Sequence, residues 1–277
     1  MEEDAERRLA NLVNAPVVLT LPDMERVRVH RNLVYSASDD PNLRLDIYQP
    51  PLELSQARFP VVLLIHGGAG AALRPKDWGF FQSWGRLLAA AGMVAVTFTH
   101  RQAGPPDMLL AEAAGDVHDA IQFARQNAGE WGADPDRVGV AAWSLGGALL
   151  SGLLREPPPY LRCLLAFCPM LDLQLWAPPG ASASILTTLR AFSPVACLEA
   201  QHAVPVPPLF IARAGRDGIP LLNTGLDHFV AGALAANLPL TLMNHPEGVH
   251  GFDNQNDDAR SREILGAAIT FARSHLT

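Results

Sequence analysis

The sequence predicts one α/β domain over residues 1–277, with a mostly parallel central sheet of about eight strands and helices on both faces. From the segment FPVVLLIHGG onward, strand-like and helix-like hydrophobic patterns alternate along the chain. Such alternation is typical of parallel strands joined by crossover helices. FPVVLLIHGG itself is almost wholly apolar and ends in glycines, which favours a strand buried on both faces.

The individual elements follow in order. Residues 26–49 hold two alternating segments, VRVHRNLVYS and LRLDIYQP, joined by an Asp-Asp-Pro-Asn turn, and predict a hairpin. After FPVVLLIHGG we expect the strands MVAVTFT, RVGVAAW, LRCLLAF, PLFIARAG and LPLTLMN, a C-terminal helix, and helices at about 78–91, 108–129, 145–155 and 221–237. The less regular residues 172–204 are predicted to form a small lid. No internal repeat, low-complexity tract or linker supports a second domain.

Composition excludes several classes of function. The net charge of −7, without a block of lysines and arginines, argues against binding to nucleic acid or to an anionic membrane surface. The first segment, MEEDAERRLANLVNAP, lacks the apolar core of a secretory signal and predicts a short surface helix. The three cysteines, Cys163, Cys168 and Cys197, form no CxxC pair, which favours a reducing compartment. We therefore expect a soluble, cytoplasmic protein.

Ser144 follows a predicted strand directly and opens an apolar helix in the segment RVGVAAWSLGGALL. This is the context of a nucleophile elbow, a strained turn that exposes a serine hydroxyl. Crowding in that turn requires small residues two positions before and after the serine. Gly146 meets the requirement, and Ala142 replaces the commoner glycine with one added methyl group. The alternative role, a serine that caps a helix, does not require the strand and the double glycine.

The loop His66-Gly67-Gly68-Ala69-Gly70 follows a central strand, at the sheet edge where ligands bind in α/β proteins. Glycines let backbone N–H groups approach a substrate oxygen and stabilise its developing charge. Gly68, Ala69 and Leu145 are the predicted donors of this oxyanion hole. The spacing fits no phosphate-binding motif, whereas a purely structural tight turn remains an alternative. His66 is expected to be structural.

A serine nucleophile needs a base to remove its proton and a carboxylate to orient that base. Asp217 follows the strand PLFIARAG in a glycine-rich turn, and His250 lies in the short loop after LPLTLMN. The order Ser144, Asp217, His250 is the order expected of this kind of catalytic triad. We therefore predict these three residues as nucleophile, orienting acid and general base.

Other residues compete for the same roles. His245 lies in the same loop as His250, but the following Pro246 restricts it. Asp172 follows a strand and Asp227 falls in a predicted helix, so we expect a helix cap and a solvated residue. The acidic stretch 253–258 lacks the glycine and glutamate of an EF-hand loop. It predicts a helix-entry loop, and we expect no metal site.

Together these segments resemble the α/β-hydrolase superfamily, in particular its compact esterase and dienelactone-hydrolase-like members. The resemblance runs from about residue 43 to the end, through LRLDIYQP, VVLLIHGGAG, DPDRVGVAAWSLGG, PPLFIARAGRD and EGVHGFD in the family's order. Dienelactone hydrolases use a cysteine nucleophile, where this chain has Ser144. In the hormone-sensitive-lipase-like esterases the loop is HGGG, and Ala69 stands here in place of its third glycine.

The resemblance implies an α/β-hydrolase fold and a carboxylesterase that cleaves a small or medium ester through an acyl-enzyme, without a cofactor. An amide or peptide hydrolase with the same triad is one alternative. A non-catalytic ligand-binding homologue is another. Acyl length is expected to depend on the pocket under residues 172–204 and around Trp78, Phe80, Phe81 and Trp143. The sequence does not indicate the natural substrate or the oligomeric state.

Overall fold

The computed structural model describes residues 13–51, 58–104, 108–199 and 205–277. Within these residues eight strands form one sheet in the order β1-β2-β4-β3-β5-β6-β7-β8. The strands are β1 (Arg28–Val34), β2 (Arg44–Gln49), β3 (Phe59–Ile65), β4 (Val94–Phe98), β5 (Ala133–Trp143), β6 (Leu161–Phe167), β7 (Leu209–Ala214) and β8 (Leu240–His245). Strand β2 pairs antiparallel with β1 and β4, and the other five pairs are parallel. The predicted mostly parallel sheet and its leading hairpin are confirmed.

Eight α-helices lie wholly within the described residues, and residues 13–14 are also helical. Each helix predicted from 78 onward has a counterpart close to its predicted position. The eight helices are α1 (Gly79–Ala90), α2 (Leu110–Gln126), α3 (Ser151–Arg155), α4 (Ala183–Ala191), α5 (Pro194–Cys197), α6 (Leu222–Ala235), α7 (Phe252–Gln255) and α8 (Ala259–His275). The helix predicted at 145–155 begins as a 3₁₀-helix, Ser144–Leu150, before α3. None of these helices is long and apolar enough to cross a membrane.

Both faces of the central strands are buried. In β3 the side chains of Val61, Leu63 and Ile65 pack into one apolar cluster, and those of Val62 and Leu64 into a second. The first cluster includes residues of α2, α3 and α6, and the second includes residues of α1 and α8. A strand covered on both sides needs apolar residues at every position, which explains the unbroken hydrophobic run of β3.

Two predicted regions lie partly outside the described residues. The surface helix expected in the first segment falls mostly within 1–12, and the end of the expected lid falls within 200–204. The described part, 172–199, contains a short 3₁₀-helix (Leu173–Trp176), α4 and α5. Helix α4 buries only Leu189, so most of its surface faces outward.

Parallel strands place their carboxyl ends at one edge of the sheet. The turns after β3, β5, β6, β7 and β8 therefore all open at the same edge. Four of these turns carry the residues singled out from the sequence. In open α/β sheets this edge is the usual place for a ligand.

Candidate active site

Ser144 occupies a strained turn between β5 and the 3₁₀-helix. Its φ angle is +53°, whereas the preceding Trp143 is extended with φ −117° and ψ 138°. A non-glycine residue in the left-handed region costs about 1–3 kcal/mol and is concentrated at functional sites. The backbone thus has the conformation expected of a nucleophile elbow, and the Ser144 side chain lines a cavity.

The residues around Ser144 are tightly packed. A Cβ atom built on Gly146 would lie 2.5 Å from the carbonyl oxygen of His66, a distance that real Cβ atoms do not reach. Ala142 is completely buried, so its methyl group is accommodated two positions before the serine. Of the two positions that flank the serine at a distance of two residues, only 146 therefore demands glycine.

Gly146→Ala is expected to destabilise the fold by about 1–3 kcal/mol, the usual cost of overpacking. The matched control is Gly152→Ala in α3, where an added Cβ would meet no atom within 4 Å. Alanine there is expected to stabilise the helix by about 0.5–1 kcal/mol. Urea denaturation of both variants measures the two changes. Equal stabilities would show that the turn does not need its glycine.

The structure brings Asp217 and His250 into contact. Asp217 lies in the turn after β7, and His250 lies between β8 and α7, followed by Gly251 at φ +76°. His250 Nδ1 is 2.7 Å from Asp217 Oδ2. The Asp217 side chain is fully buried, and its Oδ1 accepts the N–H of Ile219 at 2.9 Å. The carboxylate therefore holds the hydrogen of His250 on Nδ1 and leaves Nε2 to accept a proton.

Ser144 and His250 line the same cavity, whose volume is about 310 Å³. Its described lining is Gly67, Gly68, Ala69, Leu73, Trp78, Phe80, Phe81, Trp143, Ser144, Phe167, Cys168, His250 and Gly251. Among the described residues no hydrogen bond joins the Ser144 hydroxyl to His250. Such bonds are often long before substrate binds and shorten in the complex. The structure therefore brings all three predicted triad residues to one end of the sheet.

The glycine loop after β3 lies against the serine turn. A Cβ on Gly67 would be 3.1 Å from the Cβ of Ser144, and one on Gly68 would be 3.2 Å from the side chain of Leu145. The N–H groups of Gly68 and Ala69 donate to no backbone carbonyl of the described residues. The N–H of Leu145 belongs to the first turn of a helix, where such groups lack an intrahelical partner. All three predicted donors are thus available to a ligand oxygen.

Two stacked histidines support this loop. The rings of His66 and His100 lie parallel with their centroids 3.5 Å apart. His66 Nδ1 donates to the Gly67 carbonyl at 2.8 Å, and its Nε2 accepts the N–H of His100 at 3.1 Å. Burial lowers the pKa of His66 well below its usual value, and burial also lowers the pKa of His100. The His66 ring, with one donating and one accepting nitrogen, is therefore neutral at neutral pH, and its hydrogen bonds fit the expected structural role.

The competing residues have other partners. His245 is buried, with Nε2 3.1 Å from both carboxylate oxygens of Asp258. Asp172 caps the 3₁₀-helix Leu173–Trp176, as expected of a cap. Asp227 lies on α6 and pairs with Arg213 at the surface. The first half of the stretch 253–258 belongs to helix α7, so only 256–258 form the predicted helix-entry loop, which ends with Asp258 as the N-cap of α8.

The cavity lining agrees with only one part of the sequence expectation. Trp78, Phe80, Phe81 and Trp143 all line it, as predicted. No described residue of 172–199 does so, and Leu73, Trp78, Phe80 and Phe81 line it from the segment before α1 and from α1 itself. Among the described residues the cavity lining therefore lies outside the predicted lid, and the lid itself stays a prediction.

Sequence reasoning missed Cys168, which follows β6 directly at φ +43° and lines the cavity. Cys168, Asp217 and His250 each offer a metal-ligand atom within 4.8 Å of the others. However, Asp217 and His250 already bond each other, and burial raises the pKa of the Cys168 thiol well above its usual value. The free thiol is therefore protonated and is not a reactive thiolate. In the sequence, the position of Cys168 directly after a central strand is the one signal that could have indicated its place in the cavity.

The sequence is similar to one protein-family model and to known esterases. The BD-FAE family model matches residues 45–157, which include the glycine loop and the Ser144 turn. Esterase LipI of Mycobacterium tuberculosis is 29% identical over 84% of this chain and 79% of its own length. Carboxylesterase NlhH of the same organism is 28% identical over 91% of this chain and 82% of its own length.

Solved structures share the fold at lower identity. Esterase B from Lactobacillus rhamnosis superimposes with a TM-score of 0.74 at 17% identity, over 99% of this chain and 93% of that one. Est2, a thermophilic esterase from Thermogutta terrifontis, gives 0.64 at 23% identity, over 91% of this chain and 95% of that one. The matched family model, the relatives and the shared sheet agree with one another. The chain has an α/β-hydrolase fold, and it is similar to esterases in sequence and in fold.

Proposed function

We propose that this α/β-hydrolase is a serine carboxylesterase, with Ser144 as nucleophile, His250 as general base and Asp217 as the acid that orients the base. One observation carries the proposal: His250 donates from Nδ1 to the buried Asp217 at 2.7 Å and shares a cavity with the strained Ser144. The esterase names of its relatives support the same reaction class.

The chemistry begins with acylation. Nε2 of His250 accepts the Ser144 proton while Oγ attacks the ester carbonyl carbon, and the imidazolium that forms is stabilised by Asp217. The carbonyl oxygen becomes an oxyanion, which the N–H groups of Gly68, Ala69 and Leu145 stabilise. The C–O bond to the alcohol then breaks, and His250 returns the proton to the leaving oxygen. An acyl-enzyme on Ser144 remains.

Deacylation repeats these steps with water. His250 removes a proton from a water molecule, which attacks the acyl carbon, and the oxyanion forms again at the same donors. Collapse releases the carboxylic acid and returns the proton to Ser144 Oγ. No cofactor or metal ion takes part in either half of the reaction.

The cavity suggests the substrate class. Its described side chains are mostly aromatic or aliphatic, and His250 is the one that can carry charge in the reaction. One water-sized group occupies about 30 Å³. A cavity of 310 Å³ therefore holds roughly ten non-hydrogen atoms. We infer an ester with an uncharged, apolar acyl group of small or medium size. One structural neighbour, Est2, has butyrate bound.

A substrate panel tests the reaction type. The purified protein is expected to hydrolyse p-nitrophenyl acetate and butyrate, and to be at least about 100-fold slower on aminoacyl p-nitroanilides, a difference of about 2.7 kcal/mol in activation free energy. Release of nitrophenol or nitroaniline is followed by absorbance. Faster cleavage of the anilides would favour an amide or peptide hydrolase instead. Absence of any turnover would favour a ligand-binding homologue.

A further inference from the structure

Asp253 connects the turn of the base to the turn of the nucleophile. It lies three residues after His250, at the second position of α7, and it is completely buried. Its Oδ2 accepts the indole N–H of Trp143 at 2.7 Å and that of Trp84 at 2.9 Å. Trp143 immediately precedes Ser144. One carboxylate oxygen therefore joins two segments that are 110 residues apart in sequence.

Stability alone does not account for this carboxylate. Burial raises the pKa of Asp253, and its Oδ1 has no hydrogen-bond partner among the described residues. A buried acidic group with one unpaired oxygen is unfavourable for folding. The two indole hydrogen bonds offset part of this cost, and one of them also joins α7 to the residue that precedes Ser144.

Trp143 connects Asp253 to the candidate active site. Its indole stacks on Phe167 with centroids 4.9 Å apart and rings 7° from parallel, and it lines the cavity. Its backbone leads directly into the strained φ of Ser144. On the other side, the Asp253 carbonyl accepts the N–H of Val18 at 2.8 Å, which joins α7 to the N-terminal segment.

We propose that Asp253 is a positioning residue that sets the distance and orientation between Ser144 and His250 through Trp143. The inference rests on the proposed function of the triad. Ser144 and His250 are carried by separate turns, and no hydrogen bond between their side chains fixes their relative position. The Asp253–Trp143 hydrogen bond supplies a fixed connection between these turns. Misplacement of reacting groups by about 1 Å is enough to reduce a rate by 10²-fold.

The test compares Asp253→Ala with Asp253→Asn. Alanine removes the acceptor of both indoles, and kcat is expected to fall by about 10²-fold. Asparagine keeps a carbonyl oxygen that can accept both N–H groups, so its loss is expected to be clearly smaller. All kcat values are normalised to the sites that react with a fluorophosphonate, so unfolded protein does not contribute.

Trp84→Phe is the matched control. It removes the other indole N–H from the same Oδ2, but Trp84 neither adjoins Ser144 nor lines the cavity. We expect its kcat to stay within about threefold of the parent, a negligible change in activation free energy. Two esters separate positioning from an effect on the cavity wall. A positioning role lowers kcat for p-nitrophenyl acetate and butyrate by the same factor and leaves KM within about threefold.

Three results would overturn the inference: a kcat of Asp253→Ala close to the parent value, equal losses in Asp253→Ala and Trp84→Phe, or a loss confined to butyrate. If Asp253→Ala does not fold, Trp143→Phe takes its place against Trp84→Phe. A larger loss in Trp143→Phe, equal for both esters, supports the inference, and an equal loss in the two variants overturns it. An inactive parent protein would instead contradict the proposed function itself.

Discussion

Replacing Ser144 by alanine is expected to lower kcat for p-nitrophenyl butyrate by about 10⁶-fold, the loss seen when a triad nucleophile is removed. The hydroxyl is the group that forms the acyl-enzyme, and no other described hydroxyl lines the cavity. The variant retains the oxyanion donors and the cavity. A weak residual hydrolysis above the rate in water is therefore also expected.

The control for this variant is Ser151→Ala. Ser151 lies seven residues further along, at the start of α3, and its buried hydroxyl donates to the Ala148 carbonyl at 2.7 Å. Its loss affects local stability, not the chemistry, so we expect kcat to remain near the parent value. Undiminished hydrolysis by the Ser144 variant, measured spectrophotometrically, would refute the assignment of the nucleophile.

Asp217→Asn is expected to lower kcat by about 10⁴-fold, as when the orienting acid of a triad becomes an amide. The carboxylate accepts the Nδ1 hydrogen of His250. An amide can instead donate its own N–H to Nδ1, which moves the imidazole hydrogen to Nε2. The ring then cannot accept the proton of Ser144.

Asp227→Asn is the corresponding control. Asp227 pairs with Arg213 at 2.8 Å, but its side chain is largely exposed. An exposed ion pair contributes little, so activity is expected to stay near that of the parent. Comparable losses of kcat in the Asp217 and Asp227 variants would show that neither carboxylate orients the base.

Much of the fold and of the site could be predicted because their determinants are local. The residues of β3 are apolar throughout because both faces of this strand are buried. Residue 146 is a glycine because the His66 carbonyl oxygen lies too close to leave room for a side chain. The turns carrying Ser144, Asp217 and His250 each follow a strand directly, and parallel strands then bring them to one edge of the sheet.

The rest depends on contacts between distant segments, which sequence periodicity does not encode. Asp253 was expected only as part of a helix-entry loop, whereas it bonds indoles 110 and 169 residues away. Cys168 enters the cavity only because β6 lies next to β5 and β7. Likewise, the cavity wall comes from the α1 side, not from residues 172–199. Tertiary packing decides each of these positions.

The central claim is that Ser144, His250 and the loop after β3 form one acyl-transfer site. A crystal structure of the protein after reaction with a butyl fluorophosphonate tests it directly. We expect phosphorus bonded to Ser144 Oγ and a phosphoryl oxygen about 2.7–3.1 Å from the N–H groups of Gly68, Ala69 and Leu145. Phosphorus on another residue, or a phosphoryl oxygen turned away from those three N–H groups, would contradict it.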